Sequence, residues 1–115
     1  MSLKDSIRKS TVGSKSEYKT IEMDFEGNTI VFRQASLRDR KEIIGRSVED
    51  KEVDGVALQV WAVIYLTHDA EGNRVFDEAD FDSLMEKPAG SFVDDFSEKA
   101  LKLLGNMGEE EAAND

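Results

Sequence analysis

At 115 residues the chain has room for one domain with a modest core. Its 25 acidic and 15 basic residues give a formal charge of -10, which argues against a nucleic-acid partner and an anionic membrane surface, because both require Lys and Arg against phosphate. The absence of cysteine excludes disulfides, thiolate metal ligands and thiolate nucleophiles. The N-terminus lacks the apolar stretch of a signal peptide, and the apolar run over 60–66 is far shorter than the ~20 residues of a membrane span. A cytoplasmic location is the expectation.

Residues 1–17 are rich in Ser, Lys and Gly and show no sustained period, so they are expected to form a flexible N-terminal arm with at most a turn of helix over residues 3–9. Lys4, Arg8, Lys9 and Lys15 outnumber Asp5 and Glu17 and make the arm basic. It is either a partner-docking arm or a frayed terminus, and the second is the commoner case. Residues 18–34 read as a β-hairpin. Ile21, Met23 and Phe25 alternate with polar residues, Glu26-Gly27-Asn28 supplies turn chemistry, and Ile30 and Phe32 occupy one face of the return strand. A lone hairpin is marginal in water, so helices must cover it.

Ser36-Leu37-Arg38-Asp39 has capping-box spacing, with Asp in place of Glu, and predicts a helix ending near Gly45 or Ser47. Arg38, Arg40, Lys41 and Arg46 make it the most basic folded stretch, which reads better as a solvated face paired with Asp39 and Glu42 than as a docking face. Residues 48–54 are a charged connector or first turn. Residues 56–66 are apolar nearly all round, including Trp61 and Tyr65 as a packed pair, and predict a buried central helix. Asp77 caps a further helix carrying Phe81, Leu84 and Met85, and Pro88 stops it and opens the next. In the last helix Phe92, Val93, Phe96, Ala100, Leu103 and Leu104 form one stripe, Leu101 lies off it on the exposed side, and Gly105 is the stop. Residues 106–115, acidic and aperiodic, are expected to be a disordered tail. The predicted fold is α+β, mostly α: an N-terminal β-hairpin packed on a small bundle of about four helices, as a single globular domain over 18–105.

No chemistry-bearing constellation emerges. Aligned to a calcium loop, the acidic turn fails in both frames: with Gly72 sixth, Thr67 is first; with Asp69 first, Arg74 is sixth and Asp80 twelfth. His68, the only histidine, reads as a cap at the helix C-terminus. The glycines at 27, 45, 55, 72 and 90 are isolated, so no phosphate loop is present. The carboxylates fall mostly at helix starts and in polar runs, where they cap and solvate. No catalytic, cofactor-binding or metal residue is assigned, and an enzyme is not expected.

The turn Asp69-Ala70-Glu71-Gly72-Asn73-Arg74-Val75-Phe76, followed by Asp80 and Leu84, has the form D-x-x-G-x-x-x-F before an acid-started helix. Together with the order of elements it resembles the tail assembly chaperones of phages with long, non-contractile tails, over roughly residues 18–105. The resemblance implies a chaperone that acts in the host cytoplasm and is not in the mature virion. Such a protein binds and solubilises the tape-measure protein and helps recruit tail-tube protein. A frameshifted longer form of the same protein and a homo-oligomer are further implied partners; nucleic acid, membrane and cofactor are not. The candidate partner-binding residues are Phe92, Phe96 and Leu103, whose competing role is to pack on the central helix. The alternative function is a small acidic DNA mimic that blocks a basic partner.

Overall fold

The computed structural model describes residues 2–105, so the tail expected over 106–115 lies outside the described residues. The chain begins with α1 (Leu3–Ser10), which starts where Ser2 Oγ accepts a hydrogen bond from the Asp5 amide. The predicted hairpin follows as β1 (Thr20–Phe25) and β2 (Asn28–Arg33). Ile21 faces Phe32 and Met23 faces Ile30, so the apolar side chains line one face. Glu26 and Gly27 both adopt positive φ, the conformation that lets a two-residue turn match the twist of its strands.

Helix α2 (Leu37–Arg46) opens with the capping box read from the sequence. The Ser36 hydroxyl accepts from the Asp39 amide at 3.0 Å, and the Asp39 carboxylate accepts from the Ser36 amide at 3.2 Å. The connector after it is no plain link but a second, very short hairpin, β3 (Val48–Glu49) and β4 (Glu52–Val53). Its turn residues Asp50 and Lys51 both sit at positive φ, and the Asp54 amide closes it onto the Ser47 carbonyl at 2.8 Å.

Helix α3 (Gly55–Leu66) is the centre of the molecule. Asp54 caps it by accepting from the Val56 and Ala57 amides. Val60, Trp61, Ala62, Val63, Ile64 and Leu66 are all buried, as its all-round apolar sequence demands. The chain then passes straight into β5 (Thr67–Asp69), which pairs antiparallel with β2 and makes the hairpin a three-stranded sheet, β1-β2-β5. This third strand is a departure from the sequence reading, which continued from the helix into a turn. A single 3-10 turn (Glu78–Asp80) leads into α4 (Phe81–Met85), and α5 (Phe92–Lys102) completes the fold. Pro88 lies in the turn before α5 rather than in its first turn: the Ser91 amide bonds the Pro88 carbonyl, and Ser91 is the helix cap.

The result is α+β, mostly α. Helix α3 packs on α5, α2 and α4, and β2 packs on α5. The core joins Ile30 and Phe32 of the sheet to Ile43 of α2, most of α3, Leu84 of α4, and Phe96, Ala100, Leu103 and Leu104 of the last helix and its end. Leu101, expected to be exposed, is half-buried against this core. The Ala35 amide bonds the Leu103 carbonyl at 2.9 Å, tying the end of α5 to the start of α2.

Candidate protein-binding surfaces

Because α3 is apolar all round, its two sides must both be covered, and the chain covers them differently. On one side the sheet and α5 close over it with aromatic rings. Phe96 meets Phe25 edge-on at 5.2 Å, Phe32 at 5.6 Å and Phe92 at 5.3 Å between centroids. Phe25 and Phe92 lie 5.9 Å apart. Such edge-on pairs add about 0.5–1.5 kcal/mol beyond area burial.

This settles where the stripe read from the sequence lies. Phe96 is 3% exposed and Leu103 6%, so both serve the core; Phe92 is half-buried and keeps an outer edge. Beside the cluster runs a groove of about 470 Å³, lined by Phe25, Thr29, Ile30, Asp69, Glu71 and Val75, among others. Its lining combines apolar side chains with the two acidic residues Asp69 and Glu71.

On the other side, arginines do the covering. Trp61 stacks on Phe81 at 4.4 Å and 10°, and it meets Tyr65 edge-on at 6.4 Å. The Arg46 guanidinium lies 5.0 Å from the Trp61 ring, and its Nε donates to the Tyr65 hydroxyl at 2.9 Å. Arg74 lies 4.7 Å over the Tyr65 ring, donates to the Ile64 carbonyl at 3.3 Å, and pairs with Glu78 at 3.4 Å. A guanidinium can shield an aromatic face while its own edge stays in water. Next to this cluster a groove of about 290 Å³ is lined by Arg46, Val48, Glu49, Ala57, Phe81 and Met85, among others. Val48 and its cross-strand partner Val53 are half-exposed, and Met85 is exposed. Sequence reasoning missed this surface because the β3–β4 hairpin that presents the two valines carries no conventional turn signal.

The residues examined for chemistry are occupied with structure. The Asp69 carboxylate accepts from the Glu71 and Asn73 amides at 2.9 Å each, which holds the turn; the Asn73 amide is the first cause of its lowered pKa. His68 meets the C-terminal end of α3, as expected, although from within a strand. It lies buried in β5, with Nδ1 2.9 Å from the Leu66 carbonyl, an arrangement that requires Nδ1 to carry the proton. Burial is the main cause that lowers its pKa below the usual histidine value, with Arg33 and Arg74 acting in the same sense. A second carbonyl near the helix end, that of Ile64, is met by Arg74. Among the described residues no group of three or more His, Cys, Asp or Glu is placed to hold a metal ion. Nor is any described helix long and apolar enough to cross a membrane.

No family model and no curated protein matches this chain. Among solved structures, that of the bacteriophage HK97 tail assembly chaperone is similar, with 16% sequence identity and a TM-score of 0.49, covering 89% of this chain and 99% of that one.

Proposed function

We propose that the protein is a tail assembly chaperone that binds an apolar, helical stretch of a tape-measure protein and keeps it soluble in the host cytoplasm. One observation carries the reading. On a chain of charge -10, the exposed Val48 and Met85 line the groove beside Phe81 together with Arg46 and Glu49, and the exposed Val53 pairs across the hairpin with Val48. Single exposed apolar residues are ordinary, but a gathered patch rimmed by charge marks a protein-binding surface. The D-x-x-G-x-x-x-F turn supports the same reading from the sequence.

An amphipathic helix laid on the patch would set apolar side chains against Val48, Val53 and Met85, with the acidic surroundings keeping the complex in solution. Of the stripe named from the sequence, Phe92 offers a second contact point with Phe96 packed edge-on against it, and Leu103 is buried in the core. Recruitment of tail-tube protein, pairing with a frameshifted longer form and self-association belong to the same proposal. Many weak contacts along one long client would give high avidity without a tight single site. In this reading no step is catalytic.

The test is co-expression with the tape-measure protein encoded beside it, reading the soluble fraction and co-purification of that protein. Rescue that is lost in Val48→Asp with Met85→Asp supports the proposal. Absence of rescue by the unaltered chain overturns it and favours the acidic blocker of a basic partner.

A further inference from the structure

Helix α2 carries its cations where a helix favours them least. Arg38, Arg40 and Lys41 all lie in or just past its first turn, at the positive end of its dipole. The acids expected to pair with them are engaged otherwise. Asp39 closes the capping box with Ser36, and Glu42 pairs with Arg46 at the other end of the helix, 3.8 Å away. Among the described residues no ion pair involves Arg38, Arg40 or Lys41. On a chain of charge -10, this is a basic surface maintained against the preference of its own helix.

The cations surround an apolar side chain. Leu37 is 76% exposed and stands between two shallow grooves. One, of about 460 Å³, is lined by Leu37, Arg38, Lys41 and Glu42, and both Arg38 and Lys41 are exposed. The other, of about 200 Å³, is lined by Ala35, Leu37, Arg40 and Leu104, among others. The Arg40 guanidinium lies there against Gly105. From Leu37 to Arg46 is about 14 Å along the helix axis. The basic surface and the Val48–Met85 groove therefore belong to opposite ends of α2.

We propose that the Leu37–Arg38–Lys41 face docks an acidic segment of a partner protein. An apolar side chain of that segment sits on Leu37, and carboxylates on either side of it meet Arg38 and Lys41. Charged hydrogen bonds to carboxylates fix orientation, and complementary charge selects this segment over a basic one. The rest of the chain repels an acidic segment, so only this face can hold it. The inference goes beyond the chaperone reading and needs nothing from it, because this partner is acidic and the client of the Val48–Met85 groove is apolar.

The test is fluorescence anisotropy at low salt, with the full chain and a labelled peptide of Glu residues around one central Leu. Binding should saturate and weaken as salt is added. Arg38→Glu with Lys41→Glu should weaken it about tenfold or more. The same variant suits the helix dipole better and should raise Tm, so its loss of binding is not unfolding. Leu37→Ser should weaken binding less, by about threefold. Val48→Asp with Met85→Asp should bind the peptide as the parent does, which separates this face from the client surface. The proposal is overturned by the absence of saturable binding, by equal binding of a peptide with Gln for Glu, by a charge-reversed variant that binds as the parent does, or by lost binding with a lower Tm. It is also overturned if Glu109→Gln with Glu110→Gln and Glu111→Gln tightens peptide binding about tenfold, since the face would then belong to acidic residues of this chain.

Discussion

The two sides of α3 solve one problem in two ways. Toward the sheet, Phe25, Phe32, Phe92 and Phe96 close over the helix ring against ring. Toward α2 and α4, Arg46 and Arg74 lie over Trp61 and Tyr65 with their charged edges in solvent. The first solution buries Phe32 and Phe96 and commits them to stability, with Phe25 and Phe92 half-buried around them. The second covers the helix thinly and leaves apolar side chains accessible beside it. The distribution of stability and function should follow this division.

The largest expected effect breaks the aromatic side. Phe32→Ala removes a fully buried ring on which Phe96 packs edge-on, and it should cost about 3–5 kcal/mol in chemical denaturation. Phe96→Ala should fall in the same range. A cost below about 1 kcal/mol for either would show that α5 is not closed on the sheet as described. Between the two sides stands the cap of α3 itself. Asp54→Ala deprives the Val56 and Ala57 amides of their acceptor and should cost about 1 kcal/mol by the same measurement.

On the arginine side the effects should be smaller. Arg46→Ala loses a partly exposed cation–π contact and should cost about 0.5–1 kcal/mol, with Arg46→Lys failing to restore the bond to the Tyr65 hydroxyl. Val48→Asp should shift stability by less than about 0.5 kcal/mol and yet abolish co-purification of the client. If it unfolds the protein instead, the distinction between the two sides fails.

His68 sharpens the comparison through pH. Its folded pKa is lowered, first by burial, so the folded state holds the neutral ring more firmly than the unfolded chain does. The associated stability is complete above the unfolded value of about 6.5 and is lost as pH falls through that value toward the folded one. Unfolding free energy followed downward from about pH 7.5 should therefore decline, and His68→Leu should flatten the decline above the range where carboxylates titrate.

Much of this architecture is legible in the residues. Period-two alternation marks β1 and β2, Ser36 with Asp39 marks the start of α2, and an unbroken apolar run marks α3. Three features were hidden for physical reasons. The turn of the short hairpin rests on Asp50 and Lys51 at positive φ, where sequence preference favours glycine and asparagine. Strand β5 follows α3 without a helix stop, because Thr67 and His68 owe their conformation to pairing with β2, far away in the chain. The role of Phe92, Phe96 and Leu103 was ambiguous because a stripe at helical spacing looks the same whether it faces its own core or another protein. Only the fold separates the two buried members from the one with an outer edge.

The bond from Ala35 to Leu103 and the pairing of β2 with β5 join segments distant in the chain. Such contacts bear the cost of closing long loops before they return any stability. During synthesis the hairpin emerges with Ile30 and Phe32 uncovered, and it stays so until α3 and then α5 have been made. A nascent chain stopped before Phe96 therefore displays the apolar sheet face that the finished protein conceals, so the C-terminal helix protects the first-made strands from association.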